Sequence, residues 1–174
     1  MACDQLLRLT GSDRKRETPV GISEDIAILN WSDQLGRCGW RGLLWATASD
    51  EPARHLAIAL GRARAWRAPC WVSPTPPELP WHGAWLPPNK ARTRLGQEHD
   101  LIIFDMLCSG AGFDADAFGA LSGTLQAGGL LVLLTPPHDE VGAGRYLTRL
   151  RQRLSQAPGV ARWTPGTFPR LPDL

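Results

Sequence analysis

Two apolar runs without polar alternation restrict this chain more than any other feature: "DLIIFD" (Asp100 to Asp105) and "LLVLLTP" (Leu130 to Pro136). A strand with one face in water alternates apolar and polar residues, whereas a strand apolar at every position needs cover on both faces. Helices on both sides of a mainly parallel sheet supply such cover, and the chain encodes candidates for them. Ser23, followed by Glu24 and Asp25, reads as the cap of a leading helix over about 23–36. Its Ile28, Trp31 and Leu35 recur at i, i+3 and i+7 before Gly36 and Gly39 stop it. "GLLWATA" (Gly42 to Ala48) is a first strand, and Ser49 or Asp50 can cap a helix from Glu51 with Leu56, Ala57 and Leu60 on one face.

"CWVSP" (Cys70 to Pro74) and "GAWLPP" (Gly83 to Pro88) read as short strands closed by prolines, joined by the loop "PTPPELPWHG". After "DLIIFD", Asp114 is the expected N-cap of a further helix, with Phe113 and Phe118 as a hydrophobic staple. Phe118, Leu121 and Leu125 form its buried stripe until Gly128 ends it. Gly119 and Gly123 lie one turn apart on that helix, each costing about 1 kcal/mol relative to alanine, so a close backbone approach is expected there. A last helix from about Ala143 to Gln156 would bury Leu147, Leu150 and Leu154, and "VARW" would add a final strand. The expected fold is α/β: a three-layer, Rossmann-like, mainly parallel sheet with right-handed crossovers, helices on both faces and no P-loop.

A chain of 174 residues fits one domain and can bury about 70% of its unfolded surface without disulfides. Residues 1–20 are polar, carry Arg14-Lys15-Arg16 and are expected to be disordered; 21–174 read as a single α/β domain. The net charge of +2 does not by itself imply a nucleic-acid partner. Cys3, Cys38, Cys70 and Cys108 include no C-x-x-C pair, and His55, His82, His99 and His138 are scattered, so no metal site is written in the spacing. The N-terminus lacks the basic-then-apolar order of a secretion signal, and no apolar run is long enough to span a membrane. The expected location is the cytoplasm.

Three nucleotide chemistries compete for this layout, and each lacks a part. A P-loop requires G-x-x-x-x-G-K-[ST], but Lys15 follows Arg14 and Lys90 follows Asn89. Asp105, placed like a metal-holding acid, is then expected to order a loop or cap it. A methyltransferase using S-adenosylmethionine needs a glycine turn after the first strand and an acid after the second; here "ATASDEPA" has no glycine and "SPTPP" no acid. "GAGFDA" (Gly110 to Ala115) fits the dinucleotide fingerprint, yet the next strand ends Leu134-Thr135-Pro136 without the ribose-binding acid. Asp114 and Asp116 would also repel an anion at the helix N-terminus.

"TRLGQEHDLIIFD" (Thr93 to Asp105) followed by "GFDADAFGALSGTLQAGGLLVLLTP" (Gly112 to Pro136) resembles the N-terminal domain of the bacterial tRNA(Met) cytidine acetyltransferases. Those proteins show a Leu-Gly-x-Glu lead into a strand, a Gly-Phe-Asp turn, a Leu-Ser-Gly-Thr-Leu helix and a Gly-x-Leu-Val-Leu-Leu strand. Weaker agreement at "RGLLWATA", "CWVSP" and "VARW" extends the resemblance over about 40–168. It departs at "MLCSGAGFD", which is longer than the usual connection and creates the apparent fingerprint, and in the extra length of the first 40 residues. The resemblance implies a nucleotide-binding-like domain without a P-loop, with no catalytic and no cofactor-binding residue of its own. Whole family members continue into an ATP-driven helicase-type module and an acetyl-CoA-binding module that acetylates the wobble cytidine of elongator tRNA(Met). ATP with magnesium and acetyl-CoA are therefore implied for the full-length protein, an N-acetyltransferase acting on tRNA, and not for this stretch.

The role that remains is scaffolding or contact with tRNA. Arg145, Arg149 and Arg153 recur every fourth residue on the last helix, away from Leu147, Leu150 and Leu154, and each could neutralise a phosphate; a solvated helix face has the same pattern. Trp81 and Trp85, in the proline-rich loop, suit base stacking or packing against the helicase-type module. Two other classes stay open: a stand-alone Rossmann-like enzyme such as a methyltransferase, and an adaptor that binds protein partners.

Overall fold

A computed structural model describes residues 23–78, 80–107, 113–137 and 145–174. The expected disorder of residues 1–20, the "GAG" part of the fingerprint, Cys3, Cys108 and His138 lie outside the described residues, as does the side chain of Arg145. Helix α1 (Glu24–Arg37) has Glu24 and Asp25 in its first turn and Arg37 in its last, each opposing the local end of the helix dipole. Its Ile28, Trp31 and Leu35 are buried as their spacing predicts.

The chain continues through β1 (Gly42–Thr47), α2 (Asp50–Ala63), β2 (Cys70–Val72) and β3 (Ala84–Leu86), then a 3-10 helix (Pro88–Arg94) that the sequence reading did not assign. It goes on through β4 (His99–Asp105), α3 (Ala115–Ser122), β5 (Leu125–Thr135), α4 (Arg145–Gln156) and β6 (Val160–Trp163). Among the described residues the six strands form one sheet in the order β3-β2-β4-β5-β1-β6, and every ladder is parallel.

Because side chains alternate across a strand, each continuous apolar run feeds two cores at once. Leu101, Ile103, Leu130, Val132 and Leu134 face α1 and α2. Ile102, Phe104, Leu131 and Leu133 face the 3-10 helix, α3 and α4. This is the three-layer arrangement that the lack of alternation demands. The edge strand β6 is partly covered by the returning chain, where Arg162 and Arg170 exchange backbone hydrogen bonds of 2.9 Å in an antiparallel bridge.

Two expectations about α3 are corrected. The helix ends at Ser122 rather than near Gly128, and Leu125, taken as its last buried position, is the first residue of β5. Thr124 closes the turn with its backbone N–H and its hydroxyl both on the Leu121 carbonyl. Gly128 instead lies inside β5 with φ +75°, and a Cβ there would stand 2.9 Å from Gly36 Cα, so the glycine pair lets α1 lie on the sheet. At Gly119 the expected close approach is absent: among the described residues, no atom beyond its own helix backbone and chain neighbours lies within 4 Å of a Cβ built there.

Candidate functional site

In an open parallel sheet the carboxyl ends of the strands are where a ligand is expected. Asp105, Thr47 and Thr135 stand side by side there, through the registers Asp105↔Leu134 and Thr47↔Thr135. Trp45 Nε1 donates to Thr135 Oγ1 at 2.9 Å, and the Ala48 N–H donates to the Thr135 carbonyl at 3.1 Å, pinning the turn out of β1 onto β5. Asp105 is held from two sides. Its Oδ1 accepts the Leu107 N–H at 2.9 Å, and its Oδ2 faces Arg54 Nε of α2 at 3.0 Å. Arg54 reaches Asp50 as well, at 3.3 Å.

A phosphate binder presents free N–H groups, glycines that admit the ligand, and a cation at the N-terminus of the helix after β1. Here the turn is Thr47-Ala48-Ser49-Asp50, and the first turn of α2 carries Asp50 and Glu51. The acid that would hold magnesium is neutralised by an arginine of the same domain. These residues do not fit ATP with magnesium. The loop-ordering role expected of Asp105 is the one its hydrogen bond to Leu107 performs.

At the second candidate, the start of α3, Asp114 caps the helix by accepting the Ala117 N–H at 2.9 Å. Asp116 pairs with Arg92 at 2.9 Å on the exposed surface. The staple forms, with the Phe113 and Phe118 rings 5.4 Å apart. Negative charge therefore already occupies the place an anion would take.

On α4 the structure separates arginines that the sequence leaves alike. Arg149 and Arg153 are exposed, as the spacing predicts. Arg151, which the sequence reading did not single out, is buried and donates to the Pro136 carbonyl at 2.6 Å, anchoring the exit from β5. Arg162 likewise donates to the Leu154 and Ser155 carbonyls at the end of α4. Arg54, also missed, carries a partial signal in its i, i+4 spacing from Asp50; its reach to Asp105 is tertiary.

The two loop tryptophans part company. Trp81 packs edge-on against Trp71 at 5.3 Å, lies against Gly61 of α2 and donates to the Ala84 carbonyl, so its cover comes from its own domain. Trp85 stays 36% exposed, with its indole N–H on Ser73. A second exposed indole, Trp40, lines an open groove of 710 Å³ with Leu35, Pro158 and Pro172 to Leu174. Cys70 is buried, and burial pushes its thiol from 9.0 up to about 11 against the opposing pull of Arg94, which removes it as a nucleophile near neutral pH.

Residues 25–165 match the family described as "tRNA(Met) cytidine acetyltransferase TmcA, N-terminal". The chain is similar to a tRNA(Met) cytidine acetyltransferase TmcA of Citrobacter koseri, at 39% identity over 120 residues, covering 68% of this chain and 16% of that protein. The protein of the same name from Salmonella typhimurium is 46% identical over 120 residues, with the same coverage of 68% and 16%. One from Nitrosococcus halophilus is 37% identical over 110 residues, covering 52% of this chain and 14% of that protein. The chain thus spans about one sixth of the length of the relatives it matches.

Proposed function

The chain belongs to the family of tRNA(Met) cytidine acetyltransferase N-terminal domains, and from that premise we propose that it serves a tRNA-acetylating enzyme as a non-catalytic scaffold that also touches the tRNA. The observation that carries this reading is the tie at the carboxyl edge, where, among the described residues, Asp105 is held by Arg54 and by the Leu107 N–H. A reacting group would need those same atoms free.

In this reading ATP with magnesium and acetyl-CoA are bound by a helicase-type and an acetyltransferase module of the full-length protein, which acts in the cytoplasm. Among the described residues no helix is long and apolar enough to cross a membrane. The groove beside Trp40 is the surface offered to a neighbouring module. The exposed guanidiniums of Arg149 and Arg153, with Arg145 one turn before them, face tRNA phosphates.

Thermal denaturation with ATP and magnesium, S-adenosylmethionine or NAD tests the scaffold reading. A ligand present at a hundred times its dissociation constant adds about 2.7 kcal/mol of stability. No rise in the midpoint is expected with any of them; a rise returns the stand-alone enzyme.

A further inference from the structure

The outer side of α4 carries a group that the arginine reading does not use. Tyr146 is the only tyrosine of the chain and is 54% exposed. Its ring stacks on Phe113 with centroids 5.1 Å apart and planes 16° from parallel. Phe113 is in turn wedged against Phe104 and Phe118, at 5.9 and 5.4 Å, so the support beneath the tyrosine belongs to the core. Among the described residues only Phe113 stacks on the ring, and about half of the residue is left to water.

At about 100° per residue, Arg149, Arg153 and Tyr146 fall within one arc of about 60° on the helix. The helix has four arginines, Arg145, Arg149, Arg151 and Arg153, and no acid. Among the described residues Arg54, Arg64 and Arg92 are ion-paired, whereas Arg149 and Arg153 have no such partner. Unneutralised cations beside a held aromatic plane match a ligand with phosphates and an accessible base face. A duplex offers the phosphates but keeps its bases stacked inside; a single strand offers both.

We propose that Tyr146, Arg149 and Arg153 form a platform for single-stranded RNA, with an unpaired base stacked on the open face of Tyr146 and the guanidiniums on the flanking phosphates. This rests on the RNA reading of the arginine face and makes it specific to unpaired nucleotides.

The test is a fluorescence-anisotropy titration of a short labelled RNA, single-stranded or annealed to its complement, with this chain at low salt. The proteins compared are the unsubstituted chain, Tyr146→Ala, Tyr146→Phe and Arg149→Gln/Arg153→Gln, each checked for an unchanged melting midpoint. The unsubstituted chain should prefer the single strand. Tyr146→Ala should lose about tenfold in that affinity, within the range of one base stack, and leave duplex binding unchanged, while Tyr146→Phe keeps the preference. The double arginine variant should weaken both ligands and reduce the log–log salt slope for the single strand by about 0.7 per arginine. Unchanged single-strand binding in Tyr146→Ala, or equal loss in Tyr146→Phe, overturns the platform and assigns the exposed ring to a protein contact. A simultaneous effect of the arginine pair would then leave the broader RNA reading standing. No measurable binding by the unsubstituted chain removes both.

Discussion

Arg54 Nε stands 3.0 Å from Asp105 Oδ2, tying the first turns of α2 to the end of β4 across 51 residues of sequence. The carboxylate side chain is 2% exposed and the guanidinium 24%. Breaking such a pair from the exposed side strands the buried charge, and that loss exceeds the net worth of the pair. The acid at the carboxyl end of β4 thus serves as an internal tie.

Arg54→Ala should therefore destabilise the domain by about 3 kcal/mol in urea unfolding, because the buried Asp105 side chain loses its ionic partner and keeps only the Leu107 N–H. The double variant Arg54→Ala/Asp105→Ala should cost less than the sum of the two single changes. An Arg54→Ala cost below about 0.5 kcal/mol would put the pair in the class of surface contacts and reopen the edge as a site.

Gly119 inside α3 and Gly128 inside β5 should respond with opposite sign. Gly119 is helical with open space around it, so Gly119→Ala should stabilise by about 0.5–1 kcal/mol. At Gly128 an alanine meets a φ of +75° and the backbone of Gly36, and should cost more than about 1 kcal/mol. Chemical denaturation of the two variants side by side decides it, and a loss at Gly119 would mean that something packs there after all.

The Cys70 thiol supplies a pH dependence on the alkaline side. Its pKa is raised to about 11 in the fold against an ordinary 9.0. The unfolded chain thus releases this proton first, and stability present below about pH 9 is lost as pH rises toward 11. The loss should approach about 2–3 kcal/mol relative to a Cys70→Ala variant, whose stability lacks this contribution. Parallel unfolding curves for the two proteins across that window, with no relative change, would show that the thiol is not desolvated. Iodoacetamide should meanwhile label the exposed Cys38 well before Cys70.

The fold could be read ahead of the structure at the places where one physical constraint acts locally. Continuous apolar runs at β4 and β5, the spacing of Ile28, Trp31 and Leu35, and the Phe113–Asp114–Phe118 staple each encode their geometry within a few residues. The boundary between α3 and β5 was not readable, because Leu125 suits a helix stripe and a buried strand equally. Only its pairing with His99 decides between them. The candidate site divides in the same way: the missing glycines and lysine were visible in the sequence, and the arginine filling the gap was not.

By itself the amino-acid order determined a covered parallel sheet, a first turn without the glycine and lysine pattern of a P-loop, and an arginine-rich last helix, because periodicity, turn chemistry and charge count are properties of neighbouring residues. Tertiary structure alone decided which arginine is a tie, which anchors a loop and which faces water, and that Tyr146 lies flat on Phe113. Those outcomes depend on residues far apart in sequence meeting within hydrogen-bonding or stacking distance, and no local pattern records the meeting.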